Sequence, residues 1–516
     1  MDERSELAQA RVELTLLEKK ARELLKQLLD IRATIATQRA KIDELSRTSP
    51  SPSTINCLPT EVLVLILDLD SDVHTRPERK QDLASVCKRW RDVILQTPCF
   101  WSTIYVASDV PSITTHLERS RGALLDIVLE SAPYSQSRHL ALVPGLEILI
   151  PCAHRWRSLL VSASGYLSDD NPDEGGAELL TDFIADKINH LHFPSLKSVT
   201  ISPFCDVGYL DFLSVARAPA LEHLELGEFM TMHDILNPVA MLKSLKLNFN
   251  AGPFLDHRSC WILVPTQALT KLSLSGETKS FKLQPNSLYF PSLMSLKMVC
   301  VTKPRLILDA IVAPNLEQFN YTSSHYDDSP SVALSGLRSK FTSVRQLSFS
   351  LSGRWGVPEL LHGDALGFCE AFPDVHHVEL DGENWSHLFD PPSIRSESGP
   401  SFHFQYPVDL WTELESLTFN GLHSKWLKRG QLMAWLVHRR ALGLQQLRMK
   451  IKGSHHGKVA QVIDRRSIWP YERLKENCIL ELDGFSLIDS SMSEDSSSRG
   501  VSSFHITSGG NSTHLD

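Results

Sequence analysis

The chain contains no run of about 18 apolar residues, the minimum for a helix that crosses a membrane. Residues 1–30 begin MDERSELAQA and stay charged throughout, without the apolar core of a secretory signal. An intracellular protein, cytoplasmic or nuclear, with no membrane partner is therefore expected. No basic block stands out either, since 52 Lys and Arg are outweighed by 61 Asp and Glu for a formal charge of -9. A groove that tracks a phosphate backbone needs such a block, so nucleic acid is not an expected partner. The nine cysteines are scattered, with no C-x-x-C and no Cys/His spacing suited to a metal, and read as reduced, structural thiols.

Catalytic signatures are missing in the same way. No G-x-S-x-G, H-E-x-x-H or G-x-G-x-x-G occurs. GSHHGK at 453–458 imitates a phosphate loop, but there are three residues between its glycines instead of four, and Val459 stands where Ser or Thr would hold magnesium. His376 and His377 are neighbours on an expected strand, so their side chains point to opposite faces and do not readily share a metal. The Asn-x-Ser/Thr triplets at Asn320, Asn384 and Asn511 carry no weight without a secretory signal. No enzyme activity, catalytic residue, metal or cofactor is expected.

What is present is ordinary globular composition, 42% hydrophobic and 22% charged, over a length of 516 residues that suggests several domains. The first segment carries apolar residues at Leu7, Ala10, Leu14, Leu17, Ala21, Leu24, Leu28, Ile31, Ile35, Ile42 and Leu45, interrupted only by Gln38. The alternating spacing of three and four predicts one long helix with a heptad seam. Glu6, Arg11, Glu13, Glu18, Lys20, Arg32, Arg39 and Lys41 fall at the flanking e and g positions. The seam suits a coiled coil that self-associates through residues 1–47, or a single amphipathic helix docked on the rest of the chain. TSPSPST at 48–54 then breaks the helix, because its two prolines cannot continue one.

From about residue 190 a different pattern recurs, in FPSLKSVTI (193–201), APALEHLEL (218–226), MLKSLKLNF (241–249), ALTKLSL (268–274), FPSLMSLKM (290–298) and APNLEQFNY (313–321). Weaker copies are FTSVRQLSF, FPDVHHVEL, WTELESLTF and LGLQQLRMK. The leading residues Leu196, Leu221, Leu242, Leu269, Leu293 and Leu316 lie 25, 21, 27, 24 and 23 apart, within the period of leucine-rich repeats. Helix-like segments at 210–219, 306–314 and 432–442 run into the following strands. Such a unit cannot bury its own apolar face, so neighbours must stack into a curved solenoid with a parallel sheet on its concave side. Strand alternation points the leucines inward and leaves Glu225, Lys246, Ser273, Lys297 and Ser348 on the open side as candidate substrate contacts. The segment from 485 onward is too rich in Ser and Gly to form a core and reads as a disordered tail.

Between seam and repeats lies LPTEVLVLILDLD, then a polar linker SDVHTRPERK (71–80), then DLASVCKRWRDVILQTPCFWSTIYV. Pro59 suits a helix start and Glu61 complements its positive end. Leu58, Val62, Leu65, Ile66 and Leu69 make one helical stripe; Leu83, Val86, Cys87, Trp90 and Val93 make a second. About 50 residues cannot bury this much apolar surface internally, which points to a protein partner.

The series Leu58-Pro59-x-Glu61-Val62-x-x-x-Ile66, Leu83-x-x-Val86-Cys87-x-x-Trp90 and Phe100-Trp101, with Ile55 before it, resembles an F-box. ITTHLERSRGALLDIVLES and HRWRSLLV resemble the connecting region of large fungal (basidiomycete-type) F-box families, which often carry an N-terminal coiled coil and irregular leucine-rich repeats. The resemblance implies an F-box docked on a Skp-type adaptor, bridging to a cullin and RING ligase, with the remaining domain selecting an unknown protein substrate. Leu58, Pro59, Val62, Ile66 and Val86 would then bind the adaptor, while Cys87 and Trp90 pack inside. The expected fold is α/β: a coiled-coil helix (1–47), a linker (48–54), a small helical F-box (55–106), a connecting region with the first irregular repeats (107–190), a leucine-rich-repeat-like solenoid (191–484) and the tail (485–516). A substrate receptor of a ubiquitin ligase is the leading function; a non-catalytic F-box scaffold without a ligase role is the alternative.

Overall fold

The computed structural model of the chain describes residues 3–48, 58–70, 77–107, 109–131, 138–163, 184–202, 210–229, 242–249, 266–276, 283–323, 333–334, 337, 340–351, 362–381, 385–390, 406–420, 430–452, 461–463, 471–483 and 485–487. Two compact units divide it, Met1–Trp101 and Ser102–Asp516.

The first unit opens with helix α1 (Glu3–Thr48), whose heptads, broken only at Gln38, contain no proline or glycine. Its stripe of Leu7, Leu14, Leu17, Leu24, Leu28, Ile31, Ile35 and Ile42 is 47% to 60% exposed. Three shorter helices follow: α2 (Thr60–Asp68), α3 (Pro77–Val86) and α4 (Lys88–Gln96), then a 3-10 turn at Pro98–Trp101. The expectation of a polar linker reaching Lys80 is corrected here. Pro77 is the first residue of α3 and Glu78 lies in its first turn, a pairing that favours a helix start, so Arg79 and Lys80 are already helical. The second stripe is not continuous either. Cys87 is extended (φ -158°), ends α3 and caps α4, its Sγ accepting the Trp90 N–H at 3.5 Å. Leu83 and Val93 stay buried on either side of this break, whereas Val86 is 60% exposed.

The second unit is built on a parallel sheet in which, among the described residues, fourteen strands lie side by side in chain order. They are β1 (Thr103–Tyr105), β2 (Leu125–Ser131), β3 (Trp156–Ala163), β4 (Ser198–Ser202), β5 (His223–Phe229), β6 (Ser244–Phe249), β7 (Lys271–Gly276), β8 (Ser295–Val299), β9 (Gln318–Ser323), β10 (Gln346–Leu351), β11 (His377–Asp381), β12 (Ser416–Asn420), β13 (Arg448–Lys452) and β14 (Ile479–Asp483). The repeats read from the sequence begin at 191, but the sheet begins at Thr103. At the other end, the tail was expected from 485, and Phe485–Leu487 pairs with Gln461–Ile463 in a short separate sheet; residues 488–516 lie outside the described residues.

The recurring unit is a turn followed by a strand. In Phe193-Pro-Ser-Leu196, Ala218-Pro-Ala-Leu221, Phe290-Pro-Ser-Leu293 and Ala313-Pro-Asn-Leu316, the fourth N–H donates to the first C=O at 3.2 to 3.4 Å. Proline at the second turn position has its φ already set, and both end residues are buried in the core. The same bond closes Phe341–Val344 and Trp411–Leu414 without a proline. From β4 to β11, one carbonyl just ahead of each strand then accepts two N–H groups from the next unit, as Glu222 does from Lys243 and Ser244, and Met294 from Glu317 and Gln318. A carbonyl has two lone pairs, so this ladder satisfies both neighbours at the point where the strands begin.

Of the three expected helical connections, Gln431–Ala441 is helical as read. Pro304–Ala310 is helical but gives way to a short strand at Ile311–Val312, earlier than expected. The segment 210–219 is corrected: it holds only a 3-10 turn at Asp211–Leu213, after which Ser214 is extended. Its Arg217 and Ala218 N–H groups turn back onto the Ser214 carbonyl, and Pro219 disfavours a helical Ala218.

Candidate functional site

Two surfaces follow from these elements, one in each unit. In the first, Pro59 opens α2 with φ -52° and ψ 148°, and its carbonyl accepts the Leu63 N–H at 3.1 Å. Leu63 and Leu67, four residues apart, are 0% and 2% exposed and pack with Leu83, Val93, Ile94, Phe100 and Trp101. The other side of the same helix carries Val62, Leu65, Ile66 and Leu69, which are 38%, 64%, 42% and 86% exposed. At spacings of three and four these four side chains form one stripe. Leu58 is half-buried, its carbonyl accepting from the Arg89 guanidinium, and Pro59 is exposed. Cys87 and Trp90 are half-buried, Trp90 lying against the small core.

Beneath this surface, Trp101 donates its Nε1–H to the Ile94 carbonyl at 2.8 Å. Lys80 is 6% exposed and holds its Nζ 5.3 Å from the Trp101 ring centroid. Burial pushes the pKa of Lys80 down to about 8. The ring face compensates the ammonium only in part.

Residues 55–107 match the family described as F-box-like. The F-box-like match takes in α2, α3, α4 and β1, and thus every residue expected from the sequence to bind an adaptor. Leu65 and Leu69, outside that expected set, are the most exposed apolar residues of the F-box stripe. Their spacing from Val62 and Ile66 was the signal available for them. No curated protein matches the chain.

In the second unit the strand register brings the five candidate substrate contacts into one row. Glu225, Lys246, Ser273, Lys297, Asn320, Ser348, Glu379, Thr418, Lys450 and Glu481 stand opposite one another on successive strands from β5 to β14. Leu224, Leu245, Leu272, Leu296 and Leu347, one residue earlier, are at most 2% exposed on the other face. The sequence therefore assigned the faces correctly but left out Asn320, Glu379, Thr418, Lys450 and Glu481, whose positions within FNY, HHVEL, SLTF, LRMK and ILEL show the same alternation.

The charges of this row are not all independent. Lys246 donates to Glu225 on the adjacent strand, and Lys450 lies 3.0 Å from Asp483. Lys452 reaches across β12 to Glu379 at 2.7 Å, and Asn420 donates to the same oxygen at 2.9 Å. Burial pushes the Glu379 carboxyl up, but these two hydrogen bonds and the nearby lysines hold it below its ordinary value. Lys297, between Ser273 and Asn320, is exposed.

His376 and His377 face separate partners, Glu415 at 3.1 Å and the Ser416 hydroxyl at 2.8 Å. Among the described residues no group of His, Cys, Asp and Glu could hold a metal, and no helix is long and apolar enough to cross a membrane. Residues 453–458 lie outside the described residues.

Proposed function

We propose that this chain is the substrate-recognition subunit of a Skp/cullin/F-box-type ubiquitin ligase. The reading rests on one coincidence above all: the F-box-like match falls on a helix whose outer stripe, Val62, Leu65, Ile66 and Leu69, is apolar and exposed. Leu58, Pro59, Val62, Ile66 and Val86 would contact a Skp-type adaptor, which bridges to the cullin and RING subunit. The second unit would be a leucine-rich-repeat-like solenoid, a reading supported by the repeated turn and strand and by the shared register. Its polar row would take the protein substrate. The chain then needs no catalytic residue, since holding a substrate near a transferable ubiquitin raises the effective concentration of the reactants. The work would be done in the cytoplasm, the nucleus or both.

The test is co-precipitation of the full chain from cells with the proteasome blocked. Adaptor and cullin should be recovered together, along with proteins that accumulate under the block. Adaptor recovered without cullin would favour the non-catalytic scaffold. Changing Leu58 and Pro59 together to Ala should lower adaptor recovery at least tenfold, the loss of roughly 2 to 4 kcal/mol of interface burial.

A further inference from the structure

Helix α1 leaves a long apolar stripe in water, and the composition of that stripe selects both its occupant and the direction of pairing. We propose that two copies of this chain associate through Glu3–Thr48 as an antiparallel pair of helices.

The heptad seam assigns Leu14, Ala21, Leu28, Ile35 and Ile42 to position a, and Ala10, Leu17, Leu24, Ile31 and Gln38 to position d. In a parallel, in-register pair each core residue faces its own copy. Ala10 then meets Ala10 and Ala21 meets Ala21, which leaves two hollow layers in a seam otherwise filled by leucine, isoleucine and Gln38. Unfilled core volume is costly. In an antiparallel pair centred on residue 26, position a faces position d. Ala10 then meets Ile42, Ala21 meets Ile31 and Leu24 meets Leu28, so each small residue lies against a large one. One layer is mismatched, with Leu14 opposite Gln38.

Charge points the same way. In a parallel pair Glu13 faces Glu18, a repulsion, and Glu6 faces Arg11, an attraction, so the charges cancel. Antiparallel helices bring g against g and e against e. That places Glu13 opposite Lys41 and Glu18 opposite Arg32, two attractions, against one repulsion between Arg11 and Arg39, each of the three made twice by symmetry. Leu25, which is 60% exposed, meets its own copy at the centre and is covered. Opposed helix dipoles also favour the antiparallel arrangement.

Sedimentation equilibrium of the full chain decides the matter through the sign of a charge change. The wild-type chain should show a monomer–dimer equilibrium in the micromolar range, abolished by Leu24→Asp. Glu13→Lys and Glu18→Lys should each weaken the dimer about tenfold, by turning an attraction counted twice into a repulsion. Adding Arg32→Glu to Glu18→Lys should restore it. Glu18 also pairs with Arg22 within the helix at 3.7 Å, which makes Glu13→Lys the cleaner variant. A parallel pair predicts the reverse, because either lysine would replace the Glu13–Glu18 repulsion with an attraction. Tightening by these variants, a dimer indifferent to Leu24→Asp, or a chain that stays monomeric at high micromolar concentration would each overturn the proposal.

Discussion

Gly276 ends β7 at φ +90°, and a Cβ added there would lie 1.9 Å from the Phe249 carbonyl oxygen on the adjacent strand. Backbone, unlike a flexible side chain, cannot swing aside. Gly276→Ala should therefore cost about 1 to 3 kcal/mol, seen as a lower unfolding temperature, and an unchanged melt would contradict this placement. Lys80 is a second case in which one residue sets a measurable property. Its folded pKa of about 8 lies below its ordinary value, so folding disfavours the ammonium. The unfolded chain then binds more protons between that pH and the ordinary lysine range, and stability must rise with pH across the window. Lys80→Met should stabilise the first unit at neutral pH and flatten that rise, as read by denaturant unfolding at pH 7 and pH 10. Neither feature was legible in the sequence. SLSGET reads as an ordinary turn glycine, and RPERKQD reads as a solvated charged segment, because what constrains Gly276 and Lys80 is a distant neighbour, Phe249 in one case and Trp101 in the other.

At the scale of the element, the turn and strand were legible because local chemistry and packing agree. Proline at the second turn position, a buried residue at each end and strict alternation afterwards all appear in FPSLMSLKM, and all are realised. The first three strands were harder to separate from a connecting region. Prolines precede two of them, Pro98 ahead of β1 and Pro151 ahead of β3, but Val128 and Leu160 stand on the face that carries polar residues elsewhere. The segment 210–219 misled for the opposite reason, since its apolar content is that of a helix while Pro219 and the following buried turn dictate otherwise. Face assignment has a direct consequence. Leu296 is fully buried, so Leu296→Ala should cost about 2 to 5 kcal/mol. Lys297→Glu, one residue on, should shift stability by no more than about 0.5 kcal/mol while weakening substrate capture. A paired melt and co-precipitation would show the faces inverted if the order of the two stability losses were reversed.

At the scale of the whole molecule, the proposed function puts adaptor docking and substrate choice in different units, so lesions in one should leave the other's property intact. The F-box part was legible because its motif is short, local and carried by side chains whose burial follows from helical spacing. Internal pairing of the open face was not legible, because Glu225–Lys246 and Glu379–Lys452 depend on which strands become neighbours and on a lysine reaching over an intervening strand. The most direct test of the account is the affinity of the full chain, wild type and Val62→Asp/Ile66→Asp, for a purified Skp-type adaptor by titration calorimetry, with the unfolding curve of each protein recorded beside it. Both positions are exposed in the chain alone, so the double variant should melt like the wild type while adaptor affinity falls at least tenfold; undiminished binding by a variant that melts normally would contradict the assignment of this stripe.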